Sequence, residues 1–232
     1  MELRNTEVHG FESALRGMRN AYESWDKSDS GICKGGDDGI GCNNCSEKEY
    51  CTHSYDEKFK IGKNDMDLAH KLLSSNHECD SKFMRQIQVW VDMDMPRYFW
   101  SEWDTYHFNS KNSESTMHKL LNRKTPITLE MFEYCEEDTG IAFSIIQRLE
   151  ELRILFQNTK DGIERNRLLI RAKRLLPEGF LQMRTVNTNY AELRHIYFQR
   201  RNHPLKEEWQ HTFCVWLNTL PYAKELIMYE GE

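Results

Sequence analysis

The second half of the chain carries apolar residues at helical spacing over long stretches, and this periodicity constrains the fold more than any other feature. The apolar stripe of the longest stretch consists of Ile141, Ile145, Leu149, Leu152 and Phe156. Apolar residues three or four positions apart line one face of a helix. The same spacing predicts helices over residues 168–176, 190–201 and 209–220. A chain with this pattern packs largely as helices.

The first half adds strands. Residues 1–9 are consistent with a short strand, and Ile87, Val89 and Val91 alternate with Gln86 and Gln88. Side chains on a strand point alternately to its two faces, so this alternation predicts a strand with one buried face. Strands followed by a run of helices favour the α+β class. We therefore predict an α+β fold with a small sheet and a helix-rich second half.

Composition and charge limit the classes of function. The chain has 232 residues and fits a single domain over residues 1–232, with an insertion at about residues 26–62. The net charge of −6 argues against a nucleic-acid partner. No apolar run approaches the roughly 20 residues that a membrane span needs, and no signal pattern precedes the domain. We expect a cytoplasmic protein without a membrane partner.

The insertion is rich in Gly, Asp, Ser and Cys and has no periodicity, which predicts a long loop. Cys42 and Cys45 form a C-x-x-C pair, a spacing at which two thiolates can bind one Zn²⁺. Cys33 and Cys51 would complete a tetrahedral structural zinc site. The alternative is a mobile loop with free thiols.

The segment RYFWSEWDTYHFNSKNSESTMHK joins aromatic residues to small polar ones. Trp100 and Trp103 fall on one side of a helix that starts after Pro96. The small polar residues that follow are Ser110, Asn112, Ser113, Ser115 and Thr116. At the start of a helix such side chains, together with free backbone N–H groups, can bind a phosphate. The alternative is that they only cap a helix and fill a turn.

Basic residues concentrate in the last third of the chain, although the net charge is negative. They are Arg165, Arg167, Arg171, Lys173, Arg174, Arg184, Arg194, Arg200 and Arg201. Guanidinium groups suit phosphate and carbonyl oxygens. For most of these residues the alternative is a solvated helix face paired with carboxylates.

Residues 65–220 resemble the flavin-dependent thymidylate synthases. That family has the signature R-H-R-x-x-S-x-N-E-x-S-x-R after a Trp-containing helix, and a His-Glu pair before a strand, here His77-Glu78. The small residues of the signature are kept as Ser110, Asn112 and Ser115. The R-H-R positions hold Thr105, Tyr106 and His107, the Glu position holds Ser113, and the final Arg position holds Met117.

Two later motifs of the family also have counterparts. The R-x-x-L-P motif corresponds to Lys173, followed by Arg174, Leu175, Leu176 and Pro177. The pattern N-x-R-x-L-x-x-[NH]-x-x-x-x-R is matched by Asn189, Leu193, His195 and Arg200, with Ala191 in place of the middle Arg. Glu102 stands where the family usually has a Gln that faces the nucleotide. The segments FESALRGMRN, SWDKSDS and SESTMHK look like those of a subgroup carried by bacteriophages and gut bacteria, and a phage-encoded protein would lie in the host cytoplasm.

The resemblance implies a small antiparallel sheet and conversion of dUMP to dTMP by FAD, methylenetetrahydrofolate and NADPH in a homotetramer. Arg200 would be catalytic, because the family's last Arg orients and polarises the pyrimidine. The residues implied to bind the nucleotide are Glu102, Ser113, Ser115, Lys173, Arg174 and Arg200. Those implied to bind FAD are Tyr106, His107, Ser110, Asn189 and His195.

Two other interpretations remain at this point. The first is a non-catalytic nucleotide-binding or interaction protein that kept the fold and lost flavin binding, which the replaced arginines favour. The second is an accidental resemblance of a helical domain with a zinc loop. A variant reaction at C5 of a pyrimidine deoxynucleotide is also compatible with the altered flavin positions.

Overall fold

A computed structural model gives the structure of residues 1–32, 59–75 and 80–231. The proposed zinc ligands Cys33, Cys42, Cys45 and Cys51 lie outside these described residues, as does the pair His77-Glu78. The chain divides into two compact units. Unit 1 comprises Met1–Asn5 and Val91–Val186, and unit 2 comprises Thr6–Trp90 and Asn187–Glu232. The single domain over residues 1–232 stays a prediction.

Strands and helices follow one another along the chain. The strands are β1 (Glu2–His9), β2 (Gly31–Ile32), β3 (Phe59–Lys60), β4 (Gln88–Pro96), β5 (Ser110–Ser113) and β6 (Leu181–Asn189). The α-helices are α1 (Phe11–Met18), α2 (Lys63–Leu73), α3 (Arg97–Trp103), α4 (Thr116–Lys119), α5 (Thr139–Asn158), α6 (Gly162–Leu175), α7 (Tyr190–Arg200) and α8 (Val215–Leu217). Two π-helical segments are Glu207–Cys214 and Ala223–Ile227. Short 3₁₀ turns are Asn20–Tyr22, Trp25–Lys27, Lys82–Gln86, Leu129–Met131 and Glu136–Asp138. Of the helices in the described ranges, none has the length and apolar character needed to cross a membrane.

Within the described residues, four strands form a small antiparallel sheet in the order β1-β4-β6-β5. Val89, Val91, Met93 and Met95 of β4 are buried and alternate with more exposed residues, as the sequence pattern predicts. The short strands β2 and β3 pair antiparallel, with Gly31 opposite Lys60. The α+β class is therefore confirmed.

The interpretation of residues 110–113 as a helix-capping turn is wrong, because they form β5 at the edge of the sheet. Ser115 does cap a helix: its Oγ accepts a hydrogen bond from the backbone N–H of His118 at the start of α4, at 3.3 Å. The polar residues of this segment are thus divided between an edge strand and a helix cap.

The core of unit 1 is built around α5 and α6. Leu149, Leu152 and Phe156 of the predicted stripe are buried there, beside Leu168 and Ala172 of α6. Ile141 was expected on the same buried face, but it is 64% exposed. The core residues of α5 begin at Ile146, so its first turn extends beyond the packed part of the helix.

Aromatic side chains pack together along α3 in the same unit. Phe99, Trp100 and Trp103 are each at most 1% exposed, and their rings contact one another. Nε1–H of Trp100 donates a 2.8 Å hydrogen bond to the carbonyl of Gln182 on β6. Since a buried indole N–H requires an acceptor, this bond fixes α3 against β6.

The turn between α6 and β6 is held by backbone hydrogen bonds. The N–H groups of Arg97 and Tyr98 donate to the carbonyls of Phe180 (3.1 Å) and Glu178 (3.2 Å). Gly179 lies so close to the carbonyl of Glu133 that a Cβ would be 2.1 Å from its oxygen. A side chain at position 179 would therefore displace the turn.

Unit 2 packs α1, α2, α7 and the π-helical segments. Phe11 of α1 contacts the rings of Tyr190 and Tyr222 edge to face. Arg19 and Asp65 form a buried ion pair at 2.5 Å, and the Asp65 carboxylate also accepts from the hydroxyls of Ser28 and Ser30. These hydrogen bonds offset the cost of burying the two charges.

Candidate functional site

A cavity of about 430 Å³ opens in unit 1, and every residue that lines it is polar or charged. The lining residues are Arg97, Ser101, Asp104, Thr116, Lys173, Glu178, Gln182 and Arg184. We call it the cationic pocket. A pocket without apolar lining suits a hydrated anion or a sugar phosphate better than a bare aromatic ring.

Secondary structure brings these side chains together. Arg97 and Ser101 of α3 and the C-cap residue Asp104 are spaced by four and three residues and so share one face of the helix. Gln182 and Arg184 are two residues apart on β6 and so lie on one face of the strand. One wall of the pocket is therefore a helix face and another is a strand face.

Ion pairs and a cation–π contact fix the side chains of Asp104 and Arg184 in one wall of the pocket. The Arg184 guanidinium lies 3.0 Å from Asp104, and Lys111 of β5 lies 2.8 Å from the same carboxylate. Burial alone would raise the pKa of Asp104, but the hydrogen bond from Lys111 and the charge of Arg184 hold it below its ordinary value. Arg184 also stacks 4.4 Å from the ring of Trp100. These side chains are pre-organised.

Lys173 is held differently. Its ammonium donates a hydrogen bond to the hydroxyl of Thr116, and within the described part of the chain no carboxylate forms an ion pair with it. Burial, and after it the positive charge of Arg97, lowers the pKa of Lys173. Lys173 is thus a partly buried cation whose charge an anionic ligand would stabilise.

Positive charge exceeds negative charge at the pocket. The pocket is lined by the cations Arg97, Lys173 and Arg184 and by the carboxylates of Asp104 and Glu178. Lys111 is a fourth cation, which forms an ion pair with Asp104. Four cations against two carboxylates give a net charge of +2. A phosphomonoester carries nearly two negative charges at neutral pH, so the two charges match.

Of the residues predicted to bind the nucleotide, Lys173 lines this pocket. Glu102 lies on α3, half-buried, and its carbonyl accepts from the Thr105 hydroxyl at 2.7 Å. Ser113 is exposed on β5, Ser115 caps α4, and Arg174 is exposed in the last turn of α6. These four are not among the lining residues.

The residues predicted to bind FAD fit that cofactor only in part. Tyr106 is 6% exposed and packs edge to face on Trp103, so its ring belongs to the core. His107 and Ser110 are exposed in the same unit. In unit 2, Oδ1 of Asn189 accepts from the N–H of Glu192 at 3.0 Å and caps α7. Of the five residues predicted to bind FAD, Tyr106 is thus used in core packing and Asn189 in helix capping.

Arg200 and His195 both lie on α7 in unit 2. Arg200 is half-buried, with its guanidinium 4.9 Å from the ring of Trp209. His195 is exposed, and its Nε2 lies 3.0 Å from Nε2 of Gln199. The roles of both residues stay predictions.

Groups of three or more His, Cys, Asp or Glu side chains suited to a metal ion are absent from the residues that the structure describes. The predicted zinc ligands Cys33, Cys42, Cys45 and Cys51 fall outside that part of the chain. The zinc site accordingly stays a prediction.

Sequence reasoning missed most of the pocket. Five lining residues had not been singled out: Arg97, Ser101, Asp104, Glu178 and Gln182. Arg97, Ser101 and Asp104, on α3 and at its C-cap, carried a usable signal, because polar residues at this spacing share a face of a helix whose other side is aromatic. Glu178 and Gln182 carried none, since their position depends on how the turn after α6 returns to the sheet.

Comparison with known proteins shows the fold. No protein-family model matches the chain, and no curated protein matches its sequence. Among solved structures, the flavin-dependent thymidylate synthase ThyX from Helicobacter pylori, complexed with FAD and dUMP, is similar over 99% of this chain and 98% of its own, with a TM-score of 0.65 and 16% identity. A second structure of that enzyme with FAD and dUMP covers 98% and 97%, with the same score and identity. The protein therefore has a ThyX-like fold.

Proposed function

We propose that this protein binds a pyrimidine deoxynucleotide monophosphate and methylates it at C5, converting dUMP to dTMP, or carries out a close variant of that reaction. The observation that carries the proposal is Lys173, a partly buried cation in a polar pocket with a net positive charge. The similar structures contain FAD and dUMP, which gives the ligand class.

The cationic pocket is the proposed place of the nucleotide phosphate. Lys173 donates from the last turn of α6, and the Thr116 hydroxyl that it contacts can orient one of its N–H groups. Charge-assisted hydrogen bonds to phosphate are about twice as strong as neutral ones. The polar lining binds the phosphate, and the pyrimidine base is bound by a different part of the protein.

The protein's part in the reaction is to orient reactants and stabilise charge. When bound, reduced flavin supplies a hydride and methylenetetrahydrofolate supplies the one-carbon unit. NADPH is the proposed reductant of the flavin. His107 and Ser110 are exposed polar groups available to the flavin in unit 1, and Arg200 would polarise the pyrimidine.

A second candidate is a nucleotide-binding protein without catalysis. The burial of Tyr106 and the capping role of Asn189 favour it, because both side chains were predicted to contact flavin. Thr105, His107 and Met117 also stand where the family has arginines. This candidate keeps the cationic pocket and loses the flavin.

The other features implied by the resemblance belong to the same proposal. They are a homotetramer, a cytoplasmic protein (in the host if it is encoded by a phage), and a structural zinc bound by Cys33, Cys42, Cys45 and Cys51. Native mass spectrometry of the full chain tests the assembly and the metal together. A Cys42→Ser/Cys45→Ser variant with unchanged zinc content would contradict the zinc site.

Flavin uptake and turnover distinguish the two candidates. The purified chain is mixed with FAD, dialysed and examined for visible flavin absorption, and is then incubated with dUMP, methylenetetrahydrofolate and NADPH. The proposal expects bound flavin and the appearance of dTMP by chromatography. A chain that binds dUMP yet takes up no flavin and makes no dTMP is the second candidate. A chain that does not bind dUMP contradicts both.

A further inference from the structure

The two carboxylates of the cationic pocket are held very differently. Asp104 contacts both Arg184 and Lys111, whose side chains are only 14% and 19% exposed. Among the described residues, the one ion-pair partner of Glu178 is Arg97, at 3.0 Å, and the Glu178 side chain is 57% exposed. An exposed single ion pair contributes little to stability, so the Arg97–Glu178 contact is easily replaced.

Backbone contacts keep Arg97 and Glu178 adjacent whether or not their side chains touch. The N–H of Arg97 donates to the carbonyl of Phe180, and the N–H of Tyr98 donates to the carbonyl of Glu178. The N–H of Phe180 donates in turn to the carbonyl of Pro177 at 3.2 Å. Breaking the ion pair therefore requires only side-chain rotation.

Arg97 also interacts with Lys173, the proposed phosphate ligand. Both line the pocket, and the charge of Arg97 contributes, after burial, to lowering the pKa of Lys173. Two neighbouring cations repel each other, and an anion that accepts from both relieves that repulsion. Because its side chain is largely exposed to solvent, the Glu178 carboxylate compensates the charge of Arg97 only in part.

We propose that the Glu178 carboxylate pairs with Arg97 in the ligand-free pocket, where it takes the place of a phosphate. A dianionic phosphomonoester then displaces the carboxylate and is bound by Arg97 and Lys173 together. This inference rests on the proposed function, because it assigns the pocket to the nucleotide phosphate. Its consequence is selectivity: a phosphate dianion can compete for the guanidinium, whereas a nucleoside without phosphate cannot.

The test is a double-mutant cycle by isothermal titration calorimetry with dUMP, 2′-deoxyuridine, inorganic phosphate and a purine nucleotide monophosphate. Glu178→Gln should bind dUMP about two- to fivefold more tightly, as expected for loss of one exposed ion pair. Arg97→Gln should weaken dUMP binding about tenfold, the loss of one charged hydrogen bond. In the Arg97→Gln background the gain from Glu178→Gln should be smaller, because the part of it that acts through Arg97 is then absent. Affinity for 2′-deoxyuridine should be the same in all four proteins.

A matched control is Arg148→Gln, which removes an exposed arginine paired with Glu151 at 2.5 Å on α5 and outside the pocket lining. Its dUMP affinity should equal that of the wild type. Thermal melts of each variant verify folding.

An equal gain from Glu178→Gln with and without Arg97 overturns the inference, as does unchanged affinity in Arg97→Gln. Failure of the proposed function has a different signature. In that case inorganic phosphate binding still depends on Arg97 and Glu178, but dUMP binds no better than a purine nucleotide monophosphate.

Discussion

Nη1 of Arg184 lies 3.0 Å from one carboxylate oxygen of Asp104 and 3.2 Å from the other. The pair joins β6 to the end of α3, and Lys111 of β5 contacts the same carboxylate. One anion thus holds two cations at the edge of the pocket. The arrangement keeps positive charge near the proposed phosphate position, and the attraction of both cations to Asp104 offsets their mutual repulsion.

Replacing Asp104 with Asn should therefore have opposite effects on stability and on binding. The free energy of unfolding should fall by about 1 kcal/mol, a small value because the carboxylate is half exposed. Affinity for dUMP should rise about two- to fivefold, since one negative charge leaves the pocket. Urea denaturation and equilibrium dialysis measure the two quantities. A variant that is destabilised and also binds dUMP less tightly would show that Asp104 acts mainly by positioning Arg184.

Glu150 and Arg153 form the ion pair of α5 that faces the core. Arg153 is 7% exposed, and the Glu150 carboxylate also accepts from the N–H of Ile127 at 2.9 Å. Glu150→Gln should lower the free energy of unfolding by about 2–3 kcal/mol, because it leaves a buried guanidinium without its counter-charge. The matched control is Glu151→Gln, whose exposed pair with Arg148 should change stability by less than about 1 kcal/mol.

The effect of Glu150 should depend on pH in a defined direction. The hydrogen bond from Arg153 lowers the pKa of Glu150 below its ordinary value of 4.5. A carboxyl with a depressed pKa stabilises the fold fully above its unfolded pKa, and this contribution disappears as the pH falls through the folded pKa. The stability difference between wild type and Glu150→Gln should thus be constant near neutral pH and shrink below 4.5. A difference that grows on acidification would contradict the ion pair.

Gly179 tests the turn that carries Glu178. Gly179→Ala places a Cβ 2.1 Å from the carbonyl oxygen of Glu133, so it should lower the free energy of unfolding by about 1–3 kcal/mol and weaken dUMP binding. Gly162→Ala is the control, because a Cβ at the start of α6 meets no atom within 4 Å. It should leave stability unchanged or raise it by up to about 1 kcal/mol. Equal melting temperatures for the two variants would mean that the turn is not tightly packed.

Arg200 and its neighbour Arg201 provide a matched pair for the predicted pyrimidine site. Arg200→Ala should weaken dUMP binding about tenfold through loss of a charged hydrogen bond, at a stability cost below about 1 kcal/mol from its contact with Trp209. Arg201→Ala, which removes a contact with Phe198 and an ion pair with Glu230, should bind dUMP normally. Fluorescence titration gives both affinities. Equal affinities in the two variants would remove Arg200 from the site.

Periodicity predicted the fold well and the site poorly. The α+β class, the buried alternation of β4 and the helices α6 and α7 follow from local patterns that packing then reinforced. β5 was missed because its residues, Ser110–Ser113, are all polar and give no alternation of apolar and polar side chains. Its partner in the sheet determines its conformation, and that pairing is remote in sequence.

Motif reasoning marked one residue that lines the candidate pocket, and it missed the lining residues that only the tertiary structure brings together. Lys173 came from the late motif, and the structure places it in the pocket. Arg97 and Glu178 are 81 positions apart in sequence and meet because the turn after α6 bonds to the start of α3. No local pattern encodes that contact.

The most direct test of the account is the affinity of wild type and Lys173→Gln for dUMP and 2′-deoxyuridine, measured by calorimetry at neutral pH. Arg167→Gln is the control, an exposed arginine on the same helix that pairs with Glu164. The wild type and the control should bind dUMP at least about a hundredfold more tightly than 2′-deoxyuridine, and Lys173→Gln should reduce that preference about tenfold, because Arg97 still binds the phosphate. If Lys173→Gln keeps the full preference for the phosphorylated ligand, the phosphate is not bound in the cationic pocket.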